Sequence, residues 1–216
     1  MLRYVILFLT CMVSPVSGVR GVDMSTLVSR SSFECLKNRG INFVIVRCYM
    51  KSDIPDPNCP STVANAWAAG IPRVDVYFFP GVYQCASSPE RQVSVFKAFV
   101  NLKKIKIQMV WVDVEPCECC WSSSKDANFK KVKGIVNGLV KAGFKVGIYA
   151  SSNSWSVVCG NNRLQTFPLW YPHYQNPPSP SFSDFVPFGG WTKPTMKQIQ
   201  GTHTVCNAEI DANWHP

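Results

Sequence analysis

A chain of 216 residues, 46% hydrophobic, 12% aromatic and 16% charged, has ample apolar material for a sizeable core. Those proportions exclude a disordered chain, a coiled coil and a collagen-like fibre. A formal net charge of +9 favours an anionic partner, whether nucleic acid, anionic lipid or an acidic wall polymer.

Residues 1–18 read as a secretory signal peptide, with Arg3 ahead of the apolar run VILFLTCMV and small residues near Gly18 suited to cleavage. The run is too short to anchor a chain in a bilayer, and no later stretch is long and apolar enough for a membrane helix. Residues 19–216 then form one domain with 21 basic against 13 acidic residues, a balance of +8. Nine of the ten cysteines remain: Cys35, Cys48, Cys59, Cys85, Cys117, Cys119, Cys120, Cys159 and Cys206. In an oxidising, extracellular compartment most should pair as disulfides, and the odd number leaves one thiol free or paired between chains. The Cys117–Cys120 cluster lacks a second CxxC or a His pair at ligand spacing, so a disulfide staple is favoured over a metal site.

In chain order, strands are predicted at VRGVDMS from Val19, NFVIVRCY from Asn42, RVDVYFFP from Arg73, IQMVWVDVEP from Ile107, KVGIYAS from Lys145, FPLWYPHY from Phe167, TMKQIQGT from Thr195 and AEIDANW from Ala208. Helices are predicted from Ser25 to Asn38, from Ser61 to Gly70, after the Ser88 cap with Pro89 as first helical residue, and from about Ser124 to Gly143. The last carries Phe129, Val132, Val136 and Leu139 on one stripe, with Lys125, Lys130, Lys133 and Lys141 as a solvated opposite face. Alternating strand and helix specify a parallel sheet with crossover helices, and eight strands suggest closure. The domain is short of the ~250 residues of the usual barrel, and residues 160–195 are rich in Pro, Gly and Ser. The expected fold is an α/β, irregular (β/α)8-like barrel that loses several outer helices after its fifth strand.

Barrel sites gather at the carboxyl ends of strands. In VWVDVEP, Val110, Val112 and Val114 point to the helix layer, while Trp111, Asp113 and Glu115 point inward. Asp113 and Glu115 thus share a face with α-carbons ~6.6 Å apart, two strand residues. Two like charges in a partly desolvated pocket cannot both ionise freely, and one should keep its proton near neutral pH. An acid beside a carboxylate is the equipment for cleaving a glycosidic bond, and Glu115, the outermost, is the natural donor. The last strand puts Glu209, Asp211 and Asn213 on one side, and Asp23 ends the first. Closure makes these strands neighbours, setting Asp23 and Asp211 across the mouth from Asp113 and Glu115. Taken singly, Asp23 could as well cap the following helix, and Asp211 could sit in a surface turn.

The ordered set GVDMS (21–25), FVIVR (43–47), VDVYFFP (74–80), VWVDVEP (110–116), GIYAS (147–151), LWYPHY (169–174) and EIDANW (209–214) resembles glycoside hydrolase family 25, the CH-type lysozymes, and among them the small secreted cysteine-rich animal members. The resemblance implies hydrolysis of the β-1,4 bond between N-acetylmuramic acid and N-acetylglucosamine in bacterial peptidoglycan. It implies Glu115 as general acid and Asp113 as nucleophile or as the carboxylate orienting the substrate acetamido group. Asp23 and Asp211 match the flanking acids, Tyr77 the tyrosine near the scissile bond, and Trp170 and Tyr174 the lining of the sugar groove. Phe78 and Phe79 follow Tyr77 where many members have a histidine, and the cysteines beyond Glu115 are unlike bacterial members.

No HExxH, GxSxG, GxGxxG or P-loop occurs, so a zinc, serine or nucleotide-dependent hydrolase has no foothold. Basic charge without a recognised motif does not argue for nucleic acid. The expectations are a secreted monomer with no cofactor and no metal. Alternatives are a catalytically silent glycan-binding or effector protein on the same barrel, and a chitinase-like hydrolase. The latter would carry a longer D-x-x-D-x-D-x-E run, absent here.

Overall fold

The computed structural model describes residues 18–81, 86–117 and 121–216. The proposed signal peptide, apart from Gly18, lies outside the described residues, as do Cys85, Cys119 and Cys120. The elements in order are β1 (Val19–Met24), α1 (Arg30–Asn38), β2 (Ile41–Met50), β3 (Ile54–Pro55), α2 (Cys59–Ala68), β4 (Arg73–Phe78), α3 (Pro89–Leu102), β5 (Val110–Asp113), α4 (Lys125–Lys141), β6 (Val146–Tyr149), α5 (Ser152–Cys159), β7 (Leu169–Pro172), β8 (Met196–Val205) and β9 (Ala208–His215). The sheet runs β1-β9-β8-β7-β6-β5-β4-β2, and pairing of β1 with β2 closes it into an eight-stranded barrel; β3 is a two-residue appendage on β2.

Seven barrel strands are parallel, and β9 runs against both its neighbours, β8 and β1. The reversal is local chemistry. Cys206 and Asn207, with φ of 56° and 57°, form the two-residue link between β8 and β9, and positive φ at both positions suits a tight hairpin with right-handed twist. Because β9 descends, Asp211 in its first half stands at the barrel mouth, paired with Asp23. A disulfide from Cys206 to Cys35 ties the hairpin tip to α1, and a second joins Cys48 to Cys59. Cys117 is also disulfide-bonded, and Cys159 carries a buried free thiol, which burial shields from pairing between chains.

Residues alternate between two cores. Val44, Val46, Val74, Val76, Val110, Val112, Val114 and Ile148 face the helices, whereas Phe43, Ile45, Trp111, Tyr149, Trp170 and Met196 fill the barrel. Two glycines admit those rings. A Cβ on Gly147 would lie 2.4 Å from the Trp111 ring, and one on Gly21 2.3 Å from Phe43. Below them Asp75 Oδ2 accepts from Trp111 Nε1 at 3.0 Å and pairs with Arg73 at 2.6 Å, a fixed polar floor.

The outer layer departs from expectation in three places. Helix α1 starts at Arg30 instead of near Ser25, because Ser29 supplies the cap, accepting from Ser32 N at 3.1 Å, while the Ser25 carbonyl is engaged by Arg47. Helix α2 begins two residues early, at Cys59, with Pro60 in its first turn. Helix α5 follows the fifth parallel strand, where a helix was not expected. Ser151 and Ser154 form its reciprocal capping box, a signal present in the sequence. Helix loss therefore sets in one unit later. Among the described residues no helix separates β7 from β8, and residues 173–195 cover that wall irregularly. They are held by Lys197, fully buried on β8, which donates to Asp184 Oδ2 at 2.6 Å; the other Asp184 oxygen accepts from Tyr171 OH at 2.7 Å.

Candidate active site

Strand register brings the inward positions to a common level. Asp23 lies opposite Asp211, Asp113 opposite Tyr149, Tyr149 opposite Trp170 and Gln198 opposite Asn213. As a result Asp23, Tyr77, Asp113, Glu115, Tyr149, Trp170, Gln198 and Asp211 line one cavity at the mouth. An adjoining recess shares Asp23, Tyr77 and Asp211 and adds Ser25, Thr202 and Glu209, extending the acidic lining toward the β8–β9 hairpin. A larger hollow of about 720 Å³ lies outside the barrel between α5 and residues 187–192; Arg163 lines it, but no carboxylate does. Size and chemistry part company here, and the small cavity holds the chemistry.

Each carboxyl is held differently. Asp23 Oδ1 accepts from Gln198 Nε2 and from Asn213 Nδ2, both at 2.7 Å. Asp211 Oδ2 accepts from the same Gln198 nitrogen at 3.0 Å. Asp113, only 6% exposed, keeps Oδ1 buried without a hydrogen-bond partner. Asp75 Oδ1 on the barrel floor is likewise buried without a partner, but only the Asp113 oxygen belongs to a residue lining the cavity, where a substrate group can reach it. Glu115, beyond the last paired residue of β5, is half-buried, and its carbonyl accepts from Trp121 Nε1 at 2.7 Å, fixing the backbone that carries the side chain.

Burial is the largest cause of a raised pKa in all four acids. Asp23 is pushed up to about 8, by desolvation and then by the charge of Asp211, against the amide donors that favour its anion. Asp113 rises well above the carboxylate range through burial and then the neighbouring Glu115. Glu115 rises through burial and then Asp211. Tyr77 is pushed upward too, by burial and then by Asp23 and Asp113, so it stays a neutral hydroxyl. Burial and mutual repulsion thus favour the protonated forms of these acids, and no lysine or arginine lines the cavity. That is what a proton donor to a leaving oxygen requires.

All seven residues singled out from sequence fall in or beside this cavity. Tyr174, half-exposed at the rim, donates its hydroxyl to Gln198 Oε1 at 2.6 Å. Trp170 lines the cavity as floor: it is 2% exposed, its ring meets Tyr149 and Trp111 edge-on, and Nε1 donates to Asn213 at 2.8 Å. Trp111, Trp191 and Trp214 are buried as well, so none of them offers a ring face to a sugar. Sequence reasoning passed over Gln198, Tyr149 and Trp121. The inward parity of Gln198 with Met196 was available in TMKQIQGT, but nothing in a strand glutamine announces partners on four other segments. Among the described residues no group of three His, Cys, Asp or Glu side chains is disposed to hold a metal ion.

A closed β/α barrel with carboxyls converging at its strand ends defines the class: a barrel glycoside hydrolase. The family model described as lysozyme-like protein 1 matches residues 16–199. Over 90% of this chain and 89% of the relative, 38% of residues are identical to a probable GH family 25 lysozyme 5 of Dictyostelium discoideum. Lysozyme-like protein 5 of Caenorhabditis elegans is 34% identical over 99% of this chain and 98% of its own. In fold, the chain is similar to a family GH25 lysozyme from Aspergillus fumigatus, with a TM-score of 0.72 at 19% identity over 93% and 94% of the two chains. The chain belongs to glycoside hydrolase family 25, the lysozymes.

Proposed function

We propose that this chain is a secreted muramidase, cleaving the β-1,4 bond between N-acetylmuramic acid and N-acetylglucosamine in bacterial peptidoglycan. The observation that carries the reading is the convergence of Asp23, Asp113, Glu115 and Asp211 on one cavity, with a buried Asp113 oxygen lacking any partner. Glu115 is the general acid: it is the most accessible member of the close pair, and its pKa is raised, so it brings a proton to the glycosidic oxygen. Asp113 lies deeper. Its unpartnered Oδ1 either attacks the anomeric carbon or accepts the N–H of the substrate acetamido group, whose carbonyl oxygen then attacks. Both courses need Asp113 as the anion, so the proton that burial favours on it in the free enzyme must pass to a neighbouring acid before the bond breaks. Its negative charge then supports the positive charge developing at the sugar carbon. Asp23 and Asp211 flank the site, Tyr77 supplies a neutral hydroxyl, and Tyr174 stands at the rim. The disulfides suit an oxidising compartment outside the cell.

The test is reducing-end release from purified peptidoglycan. Glu115→Gln should lower the rate at least ~100-fold, within the usual range for a lost general acid, with a thermal midpoint no lower than the parent's. Release at the parental rate would remove Glu115 from its role. Binding of peptidoglycan without release by the parent protein would favour a silent glycan-binding barrel.

A further inference from the structure

Gln198 makes four hydrogen bonds with one amide. Its Oε1 accepts from Tyr149 OH at 2.7 Å and Tyr174 OH at 2.6 Å, and its Nε2 donates to Asp23 Oδ1 at 2.7 Å and Asp211 Oδ2 at 3.0 Å. Both oxygen lone pairs and both N–H groups are used, so the side chain is saturated. The reverse orientation would aim the carbonyl oxygen at two carboxyl groups. The residue is 2% exposed and lines the cavity that holds Glu115.

We propose that Gln198 is a positioning residue of the hydrolytic reaction, spacing Asp23 from Asp211 and offsetting their repulsion with one N–H each. The proposal rests on the muramidase reading of the same cavity. What distinguishes the device is its neutrality. Around Asp23 and Asp211 stand Asn213 on β9, Asp113 and Glu115 at the end of β5, Tyr77 on β4 with Arg47 of β2 beside it, Tyr149 on β6, Tyr174 beyond β7, and Thr202 and His203 on β8, whose hydroxyl and ring favour the Asp211 anion. Arg47 is committed to Asp56 at 2.7 Å and to the Ser25 carbonyl. Among the described residues no lysine or arginine forms an ion pair with Asp23 or Asp211. A cation at position 198 would pin both as anions and draw the neighbouring acids toward lower pKa. An amide fixes their geometry and leaves the cavity able to retain protons. The two tyrosines orient the amide from the opposite side, which couples the rim at Tyr174 to Asp23 on the far wall.

Gln198→Met removes the polar atoms at nearly constant volume. Two readouts decide the matter: carboxyl-carbon NMR titration of Asp23 and Asp211, and the pH profile of reducing-end release, with kcat and KM separated. The expected result is a rise of at least about one pH unit in the midpoints of both acids. The activity limb that rises with pH should move upward alongside. kcat should fall roughly tenfold to a hundredfold, the range for a lost hydrogen bond to a charged group, while KM stays within about threefold. Unchanged midpoints, or a kcat loss that only tracks the folded fraction, overturn the proposal. Should Gln198→Met fail to fold, Gln198→Asn keeps an amide too short to reach both acids, and at least one midpoint must rise. If the parent protein releases no reducing ends, the muramidase reading fails by itself, and the NMR titration still decides whether Gln198 governs the two carboxyls.

Discussion

Asp23 accepts two amide N–H groups and still titrates near 8, because burial and Asp211 outweigh the donors. That imbalance has a thermodynamic sign. Between the unfolded value of 3.8 and the folded value of about 8, the native protein holds a proton that the unfolded chain has released. Stability contributed by the group is therefore complete below pH ~4 and is lost as the pH rises toward 8. Asp113, Glu115 and Asp211 are shifted in the same direction and add to the slope. Asp23→Asn retains an oxygen acceptor for Gln198 and Asn213 but cannot ionise. Its thermal midpoint should match the parent near pH 4 and exceed it at pH 8; a difference independent of pH would refute the shifted titration. At this scale strand parity was enough to place Asp113 and Glu115 inward and Asp23 beside Asp211. It could not show Gln198, whose role exists only once β1, β6 and β9 have closed around it.

Among the elements, the outer wall at β7 and β8 carries the most information. A barrel strand normally buries its outer face beneath an apolar helix, and here that face presents Lys197, wholly buried, to an irregular segment. Asp184 answers the ammonium at 2.6 Å, with the Ser181 carbonyl at 3.2 Å and the Tyr171 ring beneath. The pair anchors residues 173–195 where a helix would otherwise pack. Removing one partner leaves a buried charge uncompensated, which typically costs ~3–5 kcal/mol. Asp184→Asn should lose about that much stability in urea unfolding at pH 7, and a loss below ~1 kcal/mol would mean that the Ser181 carbonyl and Gln175 Oε1, 3.4 Å from the ammonium, suffice for Lys197. The composition of residues 160–195 disclosed that helices were missing but not what replaced them, since a lysine and an aspartate thirteen residues apart in a loop-rich stretch carry no periodic signal. Helix α5 escaped for a related reason. Its eight residues, SNSWSVVC, are too few for an amphipathic repeat to stand out, and its Ser-Ser box lacks the usual acidic partner.

Across the whole molecule the two signs of charge are sorted by depth. Asp23, Asp56, Asp75 and Asp113 are buried, Asp56 and Asp75 are spent on Arg47 and Arg73, and the site acids tend to stay protonated. Lys125, Lys130, Lys133 and Lys141 on α4 and Lys97, Lys103, Lys104 and Lys106 on and after α3 remain outside. The excess of basic residues, +8 over residues 19–216, thus lies on the exterior, while the acids of the cavity are shifted toward their protonated forms. A polyanionic wall would be drawn to the helical exterior by long-range attraction and a glycan strand admitted to the cavity by short-range contacts. Only the first is screened by salt, with a Debye length of ≈ 10 Å at 0.1 M. Raising ionic strength should thus slow lysis of intact bacterial cells while leaving cleavage of a soluble, uncharged oligosaccharide nearly constant. The ratio of the two rates, followed from about 0.01 to 0.3 M salt, isolates the steering contribution. Equal slowing of both would place the salt effect in the cavity and leave the exterior charge without a part in the reaction.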